Sequence, residues 1–171
     1  DVLPQMLEAM SLMMVRAPMI RVLADILDLE LDEITTSVER RPLHRTIEVD
    51  GMGTFEEGTL GAFRFEVTGH VAGRPLLVVE HVTRIDDECA PDWQRPTMPG
   101  GEHRVVMSGH PHLEINIHGT EPGEPGAAGG GNASAANRCV NAIPAVCAAP
   151  AGALSPIDLP SITGAAQIQL G

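Results

Sequence analysis

Residues 132–160 read NASAANRCVNAIPAVCAAPAGALSPIDLP, and this stretch decides the fold. Helical spacing runs through Ala135, Val140, Ile143 and Val146, with Asn132 or Ser134 as the expected N-cap. Pro150, Gly152, Pro156 and Pro160 then fix an extended exit. Asn137, Arg138 and Asn141 interrupt an otherwise small, apolar helix. Asn137 and Asn141 are four apart and share a face, so they are placed for substrate, sheet or subunit. Just upstream, residues 120–131 (TEPGEPGAAGGG) read as a flexible segment.

Working back from this helix, the period falls to two. Residues 59–71 alternate, with Phe63, Phe65 and Val67 on one face. Ala72–Gly73 is a hairpin turn, and 76–85 (LLVVEHVTRI) is the return strand. Its LLVV run is apolar on both faces, which predicts a central strand. Shorter strands are expected at 45–49, 103–108 and 111–119, with Asp50–Gly51 and Gly53 as a turn and 86–102 as a loop. Helices are expected over 2–14 and 18–29. The fold class is therefore α+β: a mostly antiparallel sheet of four to five strands with flanking helices, in one domain over 1–171.

Hydrophobic residues make up 43% and aromatic ones 2%, so the core is built from aliphatic side chains. The chain carries eleven Arg, no Lys and a net charge of −12. That balance argues against nucleic acid and against anionic membranes. Without Lys the chain has neither a Schiff-base nor a phosphate-loop lysine. Cys89, Cys139 and Cys147 have no paired spacing and read as reduced, core-type thiols of a cytoplasmic protein. The apolar run 10–15 is too short to span a membrane, and no secretory leader is read.

Three groups of side chains are candidates for chemistry. His110, His112, Glu114, Asn116 and His118 alternate onto one strand face, where imidazoles and a carboxylate could ligate a metal; a solvated polar face is the alternative. His81 and Thr83 share a face near the end of the return strand, with Arg84 to clamp a carboxylate and Trp93 in the following loop. Ser134 and Asn137 near the start of the C-terminal helix are the third.

The motifs also carry a resemblance. Val140-Asn141-Ala142-Ile143-Pro144, then Ala148-Ala149-Pro150 with Gly152, then Asp158-Leu159-Pro160 are similar to the C-terminal half of the dihydrodipicolinate-reductase-like NAD(P)H-dependent dehydrogenases. That group includes 2,4-diaminopentanoate dehydrogenase and the amine dehydrogenases like it. Arg74-Pro75, the strand through Glu80-His81-Val82-Thr83-Arg84, Pro91-Asp92-Trp93 and the opening Asp1-Val2-Leu3-Pro4 extend the likeness along nearly the whole chain. The resemblance implies the C-terminal domain of a Rossmann-type dehydrogenase, serving substrate binding and dimerisation. It implies hydride exchange with NAD or NADP at a C–N bond, a small amine or ketone substrate, and a homodimer. His81, Thr83, Arg84, Trp93, Ser134 and Asn137 become the expected substrate contacts; no metal is implied. The sequence has no G-x-G-x-x-G after a strand, so the nucleotide-binding half is expected to lie outside it. One departure is that 10–15 runs almost directly into the helix at Pro18, where the family has a strand and a long loop. Two other readings remain open: a metal-binding module on the His110–His118 face, and a non-catalytic self-association domain.

Overall fold

The computed structural model describes residues 16–120 and 126–164. The expected helix over 2–14 and the opening Asp1–Pro4 motif lie outside the described residues. The chain divides into two compact units, Asp1–Gln94 and Arg95–Gly171.

In the first unit, helix α1 covers 16–26. It ends three residues earlier than its periodicity suggests, because Asp28 turns into the left-handed region (φ 52°). Leu29 N–H then donates to Ala24 O at 2.9 Å and Asp28 N–H to Asp25 O at 3.3 Å, satisfying the last carbonyls. Five strands follow: β1 (Glu33–Pro42), β2 (Ile47–Val49), β3 (Gly53–Phe55), β4 (Leu60–Val71) and β5 (Arg74–Arg84). Their sheet order is β1-β4-β5, all antiparallel, with β2 and β3 as a separate hairpin. Residue 53, expected in a turn, begins β3 instead.

The β4–β5 hairpin turns on Ala72 (φ 50°) and Gly73 (φ 70°), the two left-handed residues whose twist suits a two-residue loop. Asp32 Oδ2 accepts the Gly73 N–H at 2.7 Å and pins the turn to the strand before it. The expectation that β5 is central is overturned: β4 is central and β5 is an edge. Leu77 and Val79 do join the core, but Leu76 and Val78 are each 54% exposed. A run apolar on both faces cannot report which face is covered.

α1 lies on one face of this sheet. Ile20 is fully buried there against Phe65 and Val67, with Leu31, Ile34, Val38, Phe63, Leu77 and Val79 around them. Gly69 makes the close approach possible, since a Cβ at that position would sit 2.6 Å from Ile20 Cγ2. On the other face a smaller cluster gathers Ala62, Val82, Cys89, Ala90 and Trp93.

The second unit contains β6 (His103–Met107), β7 (Leu113–Ile117) and α2 (Gly126–Ala148). The α+β class stands, but the strands are divided among one three-stranded sheet and two hairpins rather than joined in one sheet. The helix α2 begins at Gly126, ahead of the expected caps and inside the segment expected to be flexible. Gly130 explains why glycine is tolerated in this helix: a Cβ there would lie 2.3 Å from the Gly119 carbonyl carbon, so only a bare backbone passes. Pro144 lies within α2 and removes the donor that would reach Val140 O. The three thiols are free, but only Cys89 is core-type; Cys139 and Cys147 are exposed on α2.

Candidate functional site

β4 and β5 would pair symmetrically about their turn, setting Phe65 opposite Glu80. A register shift between Gly69 and His70 changes this, and Phe65 faces His81 instead. Because side chains alternate, the one-residue slip transfers His81 and Thr83 to the face shared with α1 and sends Glu80 to the other. The His81 ring stacks on Phe65, with centroids 5.2 Å apart and planes 19° from parallel. Its Nε2 lies 2.7 Å from Thr83 Oγ1. Both residues are exposed at the strand's end, so the pair is ordered yet open to a ligand. The guanidinium of Arg16 sits 5.5 Å from the Phe65 centroid, and that of Arg40 lies 5.8 Å from Phe63.

Arg84 and Trp93 do not join this pair. They lie across the sheet with Ala62 and Val82, so the expected single wall of His81, Thr83 and Trp93 is not formed within this unit. The Arg84 side chain is 6% exposed and lies 3.6 Å from Asp87. It donates to Ala90 O at 3.3 Å, to Trp93 O at 3.5 Å and to Gln94 O. Those carbonyls commit the guanidinium to holding the 87–94 loop, not a substrate carboxylate. Trp93 is 4% exposed, its ring is covered by Arg41 at 5.2 Å, and its indole N–H is buried without a partner among the described residues. It is a core residue of the loop.

The same outer face carries a charged row. Arg64 meets Glu80 at 2.7 Å, Glu39 at 3.4 Å and also Glu66. Burial works against its charge, but the Glu66 hydrogen bond and the three carboxylates together hold its pKa above the ordinary arginine value. Asp86 caps the short turn Asp87–Cys89 by accepting from Glu88 N–H at 3.2 Å, and pairs with Arg45 at 3.1 Å. Those hydrogen bonds, the backbone one first, hold its carboxyl below the usual aspartate range.

In the second unit Ser134 is inside α2, not at its cap. Its hydroxyl donates to Gly130 O at 2.7 Å, one turn back. Asn137 is exposed, and Arg138 donates to Ile162 O at 3.2 Å, tying the extended exit to the helix. An open apolar groove of about 400 Å³ lies between α2 and this exit, lined by Ala142, Val146, Leu154 and Leu159. The histidine face is shorter than expected, because β7 begins at Leu113 and leaves His110 and His112 outside it. His118 Nδ1 is 2.9 Å from Gly101 O, and Glu114 is met by Asn116 and Arg104. Among the described residues no three His, Cys, Asp or Glu gather to hold a metal. The strand pairings among the described residues are antiparallel, and Gly130 packs against the backbone of Gly119 and Thr120.

The model of the 2,4-diaminopentanoate dehydrogenase C-terminal domain matches residues 16–169. The chain belongs to this family. An amine dehydrogenase of Streptomyces virginiae is 46% identical over 161 residues, which are 94% of this chain and 44% of that protein. The solved amine dehydrogenase of Mycobacterium smegmatis shares the fold at a TM-score of 0.57 and 19% identity, over 84% of this chain and 38% of that one. The chain therefore spans less than half the length of these relatives. The resemblance read from the Val140–Pro144 and Asp158–Pro160 motifs is thus established, and no helix among the described residues is long and apolar enough to cross a membrane.

The sequence placed His81 and Thr83 on one face but gave no sign of the side chains packed beside them, Phe65 and Arg16. The alternation of 59–71 contained Phe65; the register shift that brings it to His81 has no signal beyond a glycine at 69.

Proposed function

We propose that this chain is the substrate-binding and dimerisation half of an NAD(P)H-dependent oxidoreductase that acts on a C–N bond. The observation that carries the reading is the family match along residues 16–169, supported by the relative named amine dehydrogenase. NAD or NADP would be held by a lobe outside these residues, as the relatives' greater length suggests. The substrate class is a small amine and its corresponding ketone or imine.

His81 is the residue assigned to face substrate. An imidazole titrates near neutrality, so it can hold or give up a proton beside a nitrogen that changes charge. Phe65 and the neighbouring apolar side chains exclude water from one side of the ring. Asn137, exposed on α2, is retained as a substrate contact, whereas the Ser134 hydroxyl is occupied by Gly130. Self-association fits the β6–β7 hairpin. Val105, Met107, Leu113, Ile115 and Ile117 share one of its faces, each 45–51% exposed. A two-stranded ribbon with a bare apolar face gains stability from a covering partner. Free thiols suit the cytoplasm.

The test is turnover by the intact natural protein that contains these residues, given NADH or NADPH, ammonia and a series of small ketones. Cofactor oxidation that requires both ketone and ammonia is expected. Failure to consume either cofactor with any ketone would remove the proposal.

A further inference from the structure

The His81–Thr83 contact joins residues two apart on an edge strand, where an exposed hydrogen bond of this kind is worth little in water. What makes it more than incidental is the second restraint on the same ring. Phe65 stacks against the imidazole at 5.2 Å, so one plane and one nitrogen are fixed together. The register shift at Gly69–His70 is what creates the arrangement. Bulges of this kind commonly re-aim side chains beside active sites.

The partner's chemistry is informative. A hydroxyl can donate to the lone pair of a neutral Nε2 and can accept from a protonated Nε2–H. A carbonyl or carboxylate only accepts, and would favour one protonation state. The 2.7 Å contact therefore survives proton gain and loss alike. Two guanidiniums reach this face, Arg16 from α1 and Arg40 from β1, each over a phenylalanine ring. The carboxylates Glu39, Glu66 and Glu80 are on the other face with Arg64.

We infer that Thr83 is a positioning residue and not a substrate contact: its hydroxyl keeps the His81 ring in place on Phe65 through both protonation states. The inference rests on the preceding reading only in taking His81 as the group that faces substrate.

The test compares Thr83→Val, which keeps the shape and loses the hydroxyl, with Thr83→Ser, which keeps the hydroxyl. Both are made in the intact protein. The first readout is the imidazole ring-proton resonances of His81 across a pH titration. Wild type and T83S are expected to keep the ring-current displacement from Phe65 in both protonation states, and T83V to lose it. The second is steady-state kinetics: T83V should lose about five-fold in kcat with KM nearly unchanged, and T83S should restore it. Wild-type imidazole signals in T83V, or T83S behaving like T83V, would overturn the inference. An inactive protein in which T83V still frees the ring would sink the amine reading and uphold the positioning role.

Discussion

Substituting Gly69 by alanine probes the packing that sets the whole α1 face. The new Cβ would fall 2.6 Å from Ile20 Cγ2 and 3.0 Å from Leu31 Cδ2. The first distance is below any real contact, and Ile20 has no room to retreat because it is fully buried. Overpacking of this kind costs about 1–3 kcal/mol. Alanine recovers roughly 0.4–1 kcal/mol by restricting the unfolded chain. The net loss should be about 1–2 kcal/mol, or a fall of about 2–8 °C in the melting midpoint at this size. Ile20→Leu removes Cγ2, so the double variant should lose less than the two singles combined, by about 1 kcal/mol. Urea unfolding followed through Trp93 fluorescence reads the first unit selectively, since it is the single tryptophan. A Gly69→Ala protein as stable as wild type would refute the placement of α1 on the sheet.

Arg84→Met should release the 87–94 loop from its three carbonyl contacts, costing about 2–3 kcal/mol and shifting Trp93 emission to the red; unchanged emission would argue against the clamp. Asp86 has its folded pKa below its unfolded value, so its stabilisation is present above about pH 4 and is lost as pH falls through the folded value. Acid unfolding monitored at Trp93 should therefore begin at higher pH in Arg45→Gln than in wild type, and Asp86→Asn should flatten this acid-dependent component. A thiol reagent should modify Cys139 and Cys147 rapidly and Cys89 only on unfolding. Fast labelling of all three would contradict the cluster around Trp93.

Much of this architecture was legible. The hairpin at Ala72–Gly73, the helical stretch 18–26 and the antiparallel α+β class all follow from local periodicity and turn chemistry, which are properties of adjacent residues; that Arg16 and Ala17 are already helical, with Pro18 inside the helix, does not. What escaped depends on distant ones. β5 looks central because LLVV is apolar on both faces, but whether a face is covered is decided by other elements. The early start of α2 defies helix propensity, and becomes intelligible only with Gly119 against Gly130. Arg84 carries a cation that could meet a carboxylate; that it instead gathers backbone carbonyls is a matter of loop path. At the candidate site, alternation correctly placed His81 with Thr83 and apart from Glu80. The register shift that seats His81 on Phe65, while Trp93 falls on the reverse face, was invisible to alternation alone.

The central claim is a division of labour, with these residues serving substrate and another lobe serving the nucleotide. Its most direct measurement is His81→Asn in the intact protein, with amine kinetics and nucleotide affinity determined side by side. The account predicts that kcat/KM for the amine falls by about 100-fold or more while the dissociation constant for the nucleotide is unchanged. Weakened nucleotide binding with amine kinetics intact would contradict it.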